Sequence, residues 1–133
     1  MIARKSPELT IHNAIADHLR LLAPKSCLWF HIPNGESRSA RTGAKLKRMG
    51  VRKGAPDFMV MYHGRVIWLE VKAEGKYPSK EQRAFRDLAE AAGGIYCVVR
   101  SSAEAMGALE GNGVPMREVR SRALPSQYRE AAE

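Results

Sequence analysis

The chain has 133 residues, which fits one domain of ordinary size with a hydrophobic core of its own. Its hydrophobic fraction of 44% and charged fraction of 27% are typical of a soluble globular protein. The net charge of +8 indicates a polyanionic partner.

The chain has neither a secretory signal nor an apolar stretch long enough to span a bilayer, so we expect a cytoplasmic protein of a bacterial or phage-infected cell. Cys27 and Cys97 are too few for a disulfide framework and lack the spacing of zinc ligands. Buried, reduced cysteines of a cytosolic protein are the simplest interpretation.

The first half of the chain predicts two helices and a strand. Ser6-Pro7-Glu8 is typical of a helix start, and apolar residues at helical spacing continue it to Pro24. A short strand at 27–30 ends in a turn signal at 33–35. A short helix is then predicted from about Thr42 to Met49, bounded by Gly50.

Positive charge is concentrated around that short helix. Residues 37–56 hold seven of the 22 basic residues and no acidic one, which leaves 22 − 7 = 15 basic against 14 acidic residues elsewhere. Most such charge runs are solvated surfaces, but the concentration of the whole imbalance in one segment favours contact with phosphates.

The second half predicts a hairpin followed by a helix, a strand and a helix. Strands at 57–62 and 65–72 flank a His63-Gly64 turn. A helix begins at Ser79 with Gln82 completing a capping box, and it ends at Gly93-Gly94. A strand at 95–99 and a helix at 102–110 follow, and the tail from 115 is irregular. The residues predicted to form the buried stripe of the Ser79 helix are Phe85, Leu88, Ala89 and Ala92.

The order α-β-α-β-β-α-β-α indicates an α/β fold with a mixed central sheet flanked by helices. We expect a single domain over 1–133, with a core at about 6–110 and a C-terminal tail at 111–133.

The register of the predicted hairpin determines which polar side chains lie together. If His63-Gly64 is a two-residue loop, counting outward places Asp57 opposite Glu70. Two facing carboxylates repel each other, and a bound divalent cation would explain them. Lys72 lies two residues beyond Glu70 and therefore points to the same face, whereas Val71 points into the core and leaves its carbonyl available as a ligand.

These residue types suit phosphodiester hydrolysis. A cation held by carboxylates lowers the pKa of a bound water, and a lysine stabilises charge in the transition state. An ordinary hairpin with a surface Glu–Lys pair is the alternative. The neighbouring basic segment, the Gly54-Ala55-Pro56 turn and the apolar run entering Glu70 favour the catalytic interpretation.

Gly54-Ala55-Pro56-Asp57 followed by Leu69-Glu70-Val71-Lys72 resembles the PD-(D/E)xK nuclease signature. Together with Asn34-Gly35, the basic stretch to Gly50, Ser79-x-x-Gln82 and Gly94-x-Tyr96, the ordered set resembles the virus-type replication-repair nuclease (VRR-Nuc) domain over roughly Glu8 to Leu109.

The resemblance implies a restriction-endonuclease-like fold and a Mg²⁺ or Mn²⁺ ion bound by Asp57, Glu70 and the carbonyl of Val71, with Lys72 catalytic. It also implies a helix glutamate at the metal or its waters, for which Glu8 is the candidate, although the helix dipole alone would favour an acid there. It places Gln82 in the site, although the capping box alone could explain that residue. His12 lies near the face of Glu8, so which of the two completes the metal site stays open.

The nucleic-acid-binding residues expected on this basis are Asn34, Arg38, Arg41, Lys45, Lys47, Arg48, Arg52 and Lys53.

The function expected is therefore a DNA nuclease of replication, repair or recombination. The resemblance further implies a phage or bacterial stand-alone protein, a homodimer, and branched DNA such as the four-way (Holliday) junction as substrate. A catalytically silent DNA-binding module of the same fold is the alternative, and the complete set of Asp57, Glu70 and Lys72 argues against it. An RNA-binding protein lacks a recognition motif with exposed aromatics.

Overall fold

The computed structural model describes residues 6–33 and 39–117. Within them the chain forms four helices and four strands, each within two residues of its predicted bounds. In chain order the elements are α1 (Pro7–Leu22), β1 (Leu28–His31), α2 (Ala40–Arg48), β2 (Phe58–Tyr62), β3 (Arg65–Val71), α3 (Lys80–Ala91), β4 (Ile95–Val99) and α4 (Ser102–Gly111).

The strands form one mixed sheet in the order β1-β2-β3-β4. β1 pairs antiparallel with β2, and β2 pairs antiparallel with β3. β4 lies parallel to β3, because α3 carries the chain back across the sheet between them. The predicted α/β class, with a mixed sheet between helices, is confirmed.

The turn between β2 and β3 fixes the register of the hairpin. His63 and Gly64 both have positive φ, at 47° and 78°, as a two-residue loop between twisted strands requires. Tyr62 therefore lies opposite Arg65, and Phe58 lies opposite Leu69. The next residues outward are Asp57 and Glu70, as the sequence predicts.

The hydrophobic core lies between one face of the sheet and the helices α1 and α4, which pack against each other. Val71 contributes to it, as predicted, and is 2% exposed. Cys27 and Cys97 are half-buried at its border. Val114, beyond the last helix, is also buried in it. The fully buried core residues include Ile15, Phe58, Val60, Ile67, Leu69 and Leu109. In the described part of the chain, no helix is long and apolar enough to cross a membrane.

The opposite face of the sheet is covered less completely. α3 lies on it, and the ring of Phe85 packs edge-on against Trp68 with centroids 5.1 Å apart. The buried stripe predicted for α3 is nevertheless wrong: no residue of α3 is buried, Leu88 is 54% exposed and Ala92 is exposed. The helix covers only part of the sheet, so its apolar positions lie at the edge of the contact.

α2 stands apart from the core. Ser39 caps it by accepting a hydrogen bond from the Thr42 amide, and none of its residues is buried. The predicted helix is confirmed, but its start lies two residues earlier than the sequence suggested.

The loop from α2 to β2 is attached to the first turn of α3 through Gly54. This residue has a φ of +83°, and a Cβ added there would lie 2.5 Å from the backbone carbonyl carbon of Glu81. Only glycine allows two backbones to approach so closely in this conformation. The contact holds the basic loop against the end of α3.

We predict that Gly54→Ala destabilises the protein more than Gly50→Ala. Gly50 also has a positive φ, of 102°, but no atom lies within 4 Å of an added Cβ. Gly50→Ala should cost about 1–2 kcal/mol through backbone strain, and Gly54→Ala about 1–3 kcal/mol more through the clash. Thermal melts of both variants test this, since each kcal/mol lowers the melting temperature by roughly 4 °C. Equal losses would contradict the close approach.

Candidate active site

A cleft of about 300 Å³ opens where the β2–β3 hairpin meets the first turns of α1 and α3. All five side chains expected to be catalytic line it: Glu8, Asp57, Glu70, Lys72 and Gln82. Lys53, Gly54, Ala55, Ser79 and Glu81 complete the wall. The fold thus brings together residues that span 75 positions of the sequence, from 8 to 82.

Asp57 is held from several directions at the entrance to β2. Its Oδ2 accepts a hydrogen bond from the Val71 amide at 2.8 Å. Its backbone carbonyl accepts a hydrogen bond from the Ile32 amide at 2.8 Å and lies 2.8 Å from Nδ1 of His31. The carboxylate is therefore oriented by its partners before any ligand arrives.

Glu70 is a carboxyl group buried in the floor of the cleft, where it is 3% exposed. Its Oε1 accepts a hydrogen bond from Nε2 of Gln82 at 3.2 Å and lies 4.0 Å from Nζ of Lys72. Its Oε2 is buried and has no hydrogen-bond partner among the described residues. A buried oxygen without a partner is costly unless a ligand completes it.

The surroundings raise the pKa of Glu70 to about 8. Burial is the main cause, and the nearby charge of Asp57 adds to it. Lys72 opposes the shift, and Glu8 reinforces it. Without a cation, Glu70 therefore keeps its proton at neutral pH, and the site carries less negative charge than its carboxyl groups suggest.

Gln82 serves the helix and the cleft together. Its Oε1 accepts from the Ser79 amide at 2.7 Å, and its own amide donates to Oγ of Ser79 at 3.2 Å, which completes the predicted capping box. Its Nε2 remains free to donate to Glu70. The capping box is therefore confirmed, and the same side chain also contacts Glu70, because its amide group has an acceptor for one contact and a donor for the other.

Glu8 and His12 approach the carboxylates from α1. Glu8 is half-buried in the first turn and lines the cleft. His12 stacks on Phe58 with ring centroids 4.3 Å apart, and its Nδ1 lies 3.8 Å from Oδ1 of Asp57. Burial, followed by the neighbouring His31, lowers the pKa of His12, so this ring is neutral at physiological pH.

Tyr96 is a neighbour of Glu70 that the sequence analysis did not assign to the site. β4 places it opposite Trp68, on the same face of the sheet as Glu70. Its hydroxyl is buried without a hydrogen-bond partner among the described residues, and burial together with the Glu70 charge raises its pKa. In the sequence, Tyr96 alternates with the core-facing Ile95 and Cys97. This alternation could have placed Tyr96 on the same face of the sheet as Glu70.

A basic surface adjoins the cleft. A groove of about 550 Å³ runs between α2 and the loop that follows it, and it shares Lys53 and Gly54 with the cleft. The predicted DNA-binding residues Arg41, Lys45, Lys47, Arg48, Arg52 and Lys53 are all exposed on these two segments. Asn34 and Arg38 lie outside the described residues.

Comparison with protein-family models finds no match, and neither does comparison with curated proteins. Solved structures do match. One, described as a VRR_NUC domain protein, superposes with a TM-score of 0.64 and 19% identity over 82% of this chain and 89% of its own. The chain has the VRR-Nuc fold. A second, described as a VRR_NUC domain, has a TM-score of 0.54 and 21% identity over 80% of this chain and 97% of its own.

The VRR-Nuc fold expected from the sequence motifs is therefore confirmed by structure. In the described ranges, no three side chains of His, Cys, Asp or Glu converge closely enough to define a metal cluster. The donor set nevertheless fits a hard divalent cation, because Asp57 and Glu70 supply carboxylate oxygens side by side. The unpartnered Oε2 of Glu70 is one available ligand atom.

The raised pKa of Glu70 predicts a pH-dependent stability of the cation-free protein. Unfolded Glu70 loses its proton as pH rises through 4.5, while folded Glu70 keeps it to about 8. The contribution of Glu70 is therefore fully present below pH 4.5 and declines until it is lost above about 8. Melting temperatures measured in excess chelator should fall with pH relative to those of Glu70→Gln, which mimics the protonated group. A constant difference between the two proteins would argue against this environment.

Proposed function

We propose that this chain is a divalent-cation-dependent deoxyribonuclease of the VRR-Nuc family that hydrolyses phosphodiester bonds. One observation carries the proposal: a buried carboxyl group, Glu70, shares a cleft with Asp57 and Lys72, and that cleft opens beside a strongly basic groove. A buried acid of raised pKa next to a second acid is costly to keep, which favours a functional role. The VRR-Nuc fold supports the same conclusion.

Asp57, Glu70 and the carbonyl of Val71 are the proposed ligands of Mg²⁺ or Mn²⁺, with Glu8 joining through a water. When bound, the cation lowers the pKa of a coordinated water and offsets charge on the phosphate. The hydrogen bond from the Val71 amide fixes Asp57, and Gln82 fixes Glu70 through Oε1, so both carboxylates are held in one orientation.

Lys72 supplies the remaining charge. Its side chain is 13% exposed, and its Nζ lies 4.0 Å from Oε1 of Glu70, so it enters the cleft from the carboxylate side. From there the ammonium can donate to the attacking water or to a phosphate oxygen whose charge grows in the transition state. Lys53, at the opening shared with the groove, is placed to hold the adjoining phosphate.

Activity tests this proposal directly. Three variants should each lower the rate of cleavage of labelled DNA in Mg²⁺ or Mn²⁺ by a factor of at least about 100: Asp57→Ala, Glu70→Ala and Lys72→Ala. Each removes a group that stabilises charge in the transition state. DNA binding, measured by fluorescence anisotropy in excess chelator, should survive in all three variants.

Two outcomes would contradict the proposal. Full activity of the parent protein in excess chelator would rule out cation dependence. DNA binding without cleavage in any divalent cation would instead support the catalytically silent binding module. Glu90→Ala removes an exposed carboxylate of α3 outside the cleft, so it serves as a matched control and should cut normally.

The basic groove predicts how binding depends on salt. Replacing Lys47 and Lys53 with alanine should weaken duplex binding and reduce the slope of log affinity against log salt by about 0.9 for each lost phosphate contact. Lys25→Ala is the control, because Lys25 lies before β1, at the opposite end of that strand from the residues that contact Asp57. Unchanged slope and affinity in the double variant would place the DNA-binding surface elsewhere.

Two finer points extend the proposal: the active form is a homodimer, and its substrate is branched DNA such as a four-way junction. They rest on the resemblance to short stand-alone VRR-Nuc proteins, and symmetry links them, because a four-way junction offers two equivalent cleavage positions that a two-fold protein would match. Light scattering of the protein with and without junction DNA tests the first point, and a monomer in both conditions would contradict it.

A further inference from the structure

The loop between β3 and α3 carries an exposed aromatic side chain, Tyr77, and both ends of this loop lie at the cleft. Lys72 and Ser79, which bracket the loop, both line the cleft. Tyr77, two residues before Ser79, is 75% exposed. An exposed aromatic ring offers a flat apolar face to a ligand, and here the segment that carries it begins and ends at residues of the cleft.

The loop is held in shape by Arg100. The guanidinium of this residue donates to the backbone carbonyls of Ala73 at 3.0 Å and of Lys76 at 2.7 Å. The Lys76 amide also donates to the Ala73 carbonyl, across a turn in which Gly75 has a φ of 78°. The loop therefore has a defined conformation without a ligand.

The ring of Tyr77 is oriented by the same arginine. The Arg100 guanidinium lies 5.2 Å from the ring centroid, in a cation–π contact. The following Pro78 restricts the backbone of Tyr77, and Arg83 anchors the Pro78 carbonyl at 2.8 Å. Little conformational entropy would then be lost when a second flat group packs on the exposed part of the ring.

The charge around the ring favours a nucleotide over a purely apolar group. Arg100 lies against the ring, and Lys76, Lys80 and Arg83 are close in sequence, with Glu74 and Glu81 as the acidic neighbours. A nucleobase on an aromatic ring combined with a phosphate on a basic side chain is the usual arrangement by which proteins hold unpaired nucleotides.

We propose that Tyr77, backed by Arg100, is a stacking site for one unpaired nucleobase of the DNA bound in the adjoining cleft. This rests on the proposed nuclease function and adds a substrate class to it. A base inside a continuous duplex has both ring faces covered by its neighbours. Tyr77 therefore selects DNA that offers a free base face: a bulge, a strand end, a branch point or a single strand.

The test compares three DNA duplexes of one sequence in excess chelator: fully paired, with a single bulged 2-aminopurine, and with an abasic bulge. The parent protein should bind the 2-aminopurine bulge more tightly than the abasic bulge and should change the fluorescence of the base. Tyr77→Ala should weaken binding to that probe about 5- to 150-fold, the range expected for loss of one stacked base. The affinity of Tyr77→Ala for the fully paired duplex should equal that of the parent protein.

Two control variants isolate the ring. Tyr77→Phe keeps the aromatic face and should retain the preference and the fluorescence change. Leu88→Ala removes another exposed apolar side chain, on α3, and should behave as the parent. Thermal melts of all variants identify any loss of folding.

The outcomes separate the two proposals. Duplex binding by the parent with no preference for the bulged base, or a preference that survives in Tyr77→Ala, would overturn the stacking site and leave the nuclease proposal standing. Absence of DNA binding to all three probes would overturn both.

Discussion

Burial of the Glu70 carboxyl beside Asp57 is the constraint on which this molecule depends. Removing an acid from water is unfavourable, and a second acid nearby makes it more so. Three contacts oppose this cost: the Val71 amide holds Asp57, while Lys72, directly after β3, and Gln82, from α3, both approach Glu70. α3 buries no residue of its own, and its first turn contacts the site through Gln82 and the basic loop through the close approach of Gly54.

Much of this arrangement could be predicted from sequence because it is local. The hairpin register follows from a two-residue turn, and alternation along β3 then places Glu70 and Lys72 on one face. The starts of α1 and α3 follow from capping residues whose hydrogen bonds span three positions, Ser6 and Ser79. Such features depend only on residues that are close together along the chain, so they can be predicted from a single sequence.

What sequence could not predict depends on packing between distant segments. Tyr96 lies close enough to Glu70 to feel its charge only because β4 adds beside β3 in a particular register. The exposure of Leu88 depends on how much of the sheet α3 covers, which helical periodicity does not encode. The contact of His12 with Asp57 likewise depends on the position of α1 over the sheet. Each of these side chains has an unremarkable sequence context, and its environment is a property of the assembled fold.

The His63-Gly64 turn has a consequence for how the length of this chain can vary. The turn begins six positions, roughly 20 Å, from Asp57. An added residue at this exposed tip would enlarge the loop while Tyr62 still faced Arg65, so every pair down to the cleft would be kept. Removing Gly64 has the opposite effect, because the shortest workable loop would then pair Met61 with Arg65 and set Asp57 against Leu69. Along the whole hairpin, core-facing residues of one strand would then pair with residues of the other strand that face away from the core. Related chains should therefore differ at this tip by insertion and not by deletion.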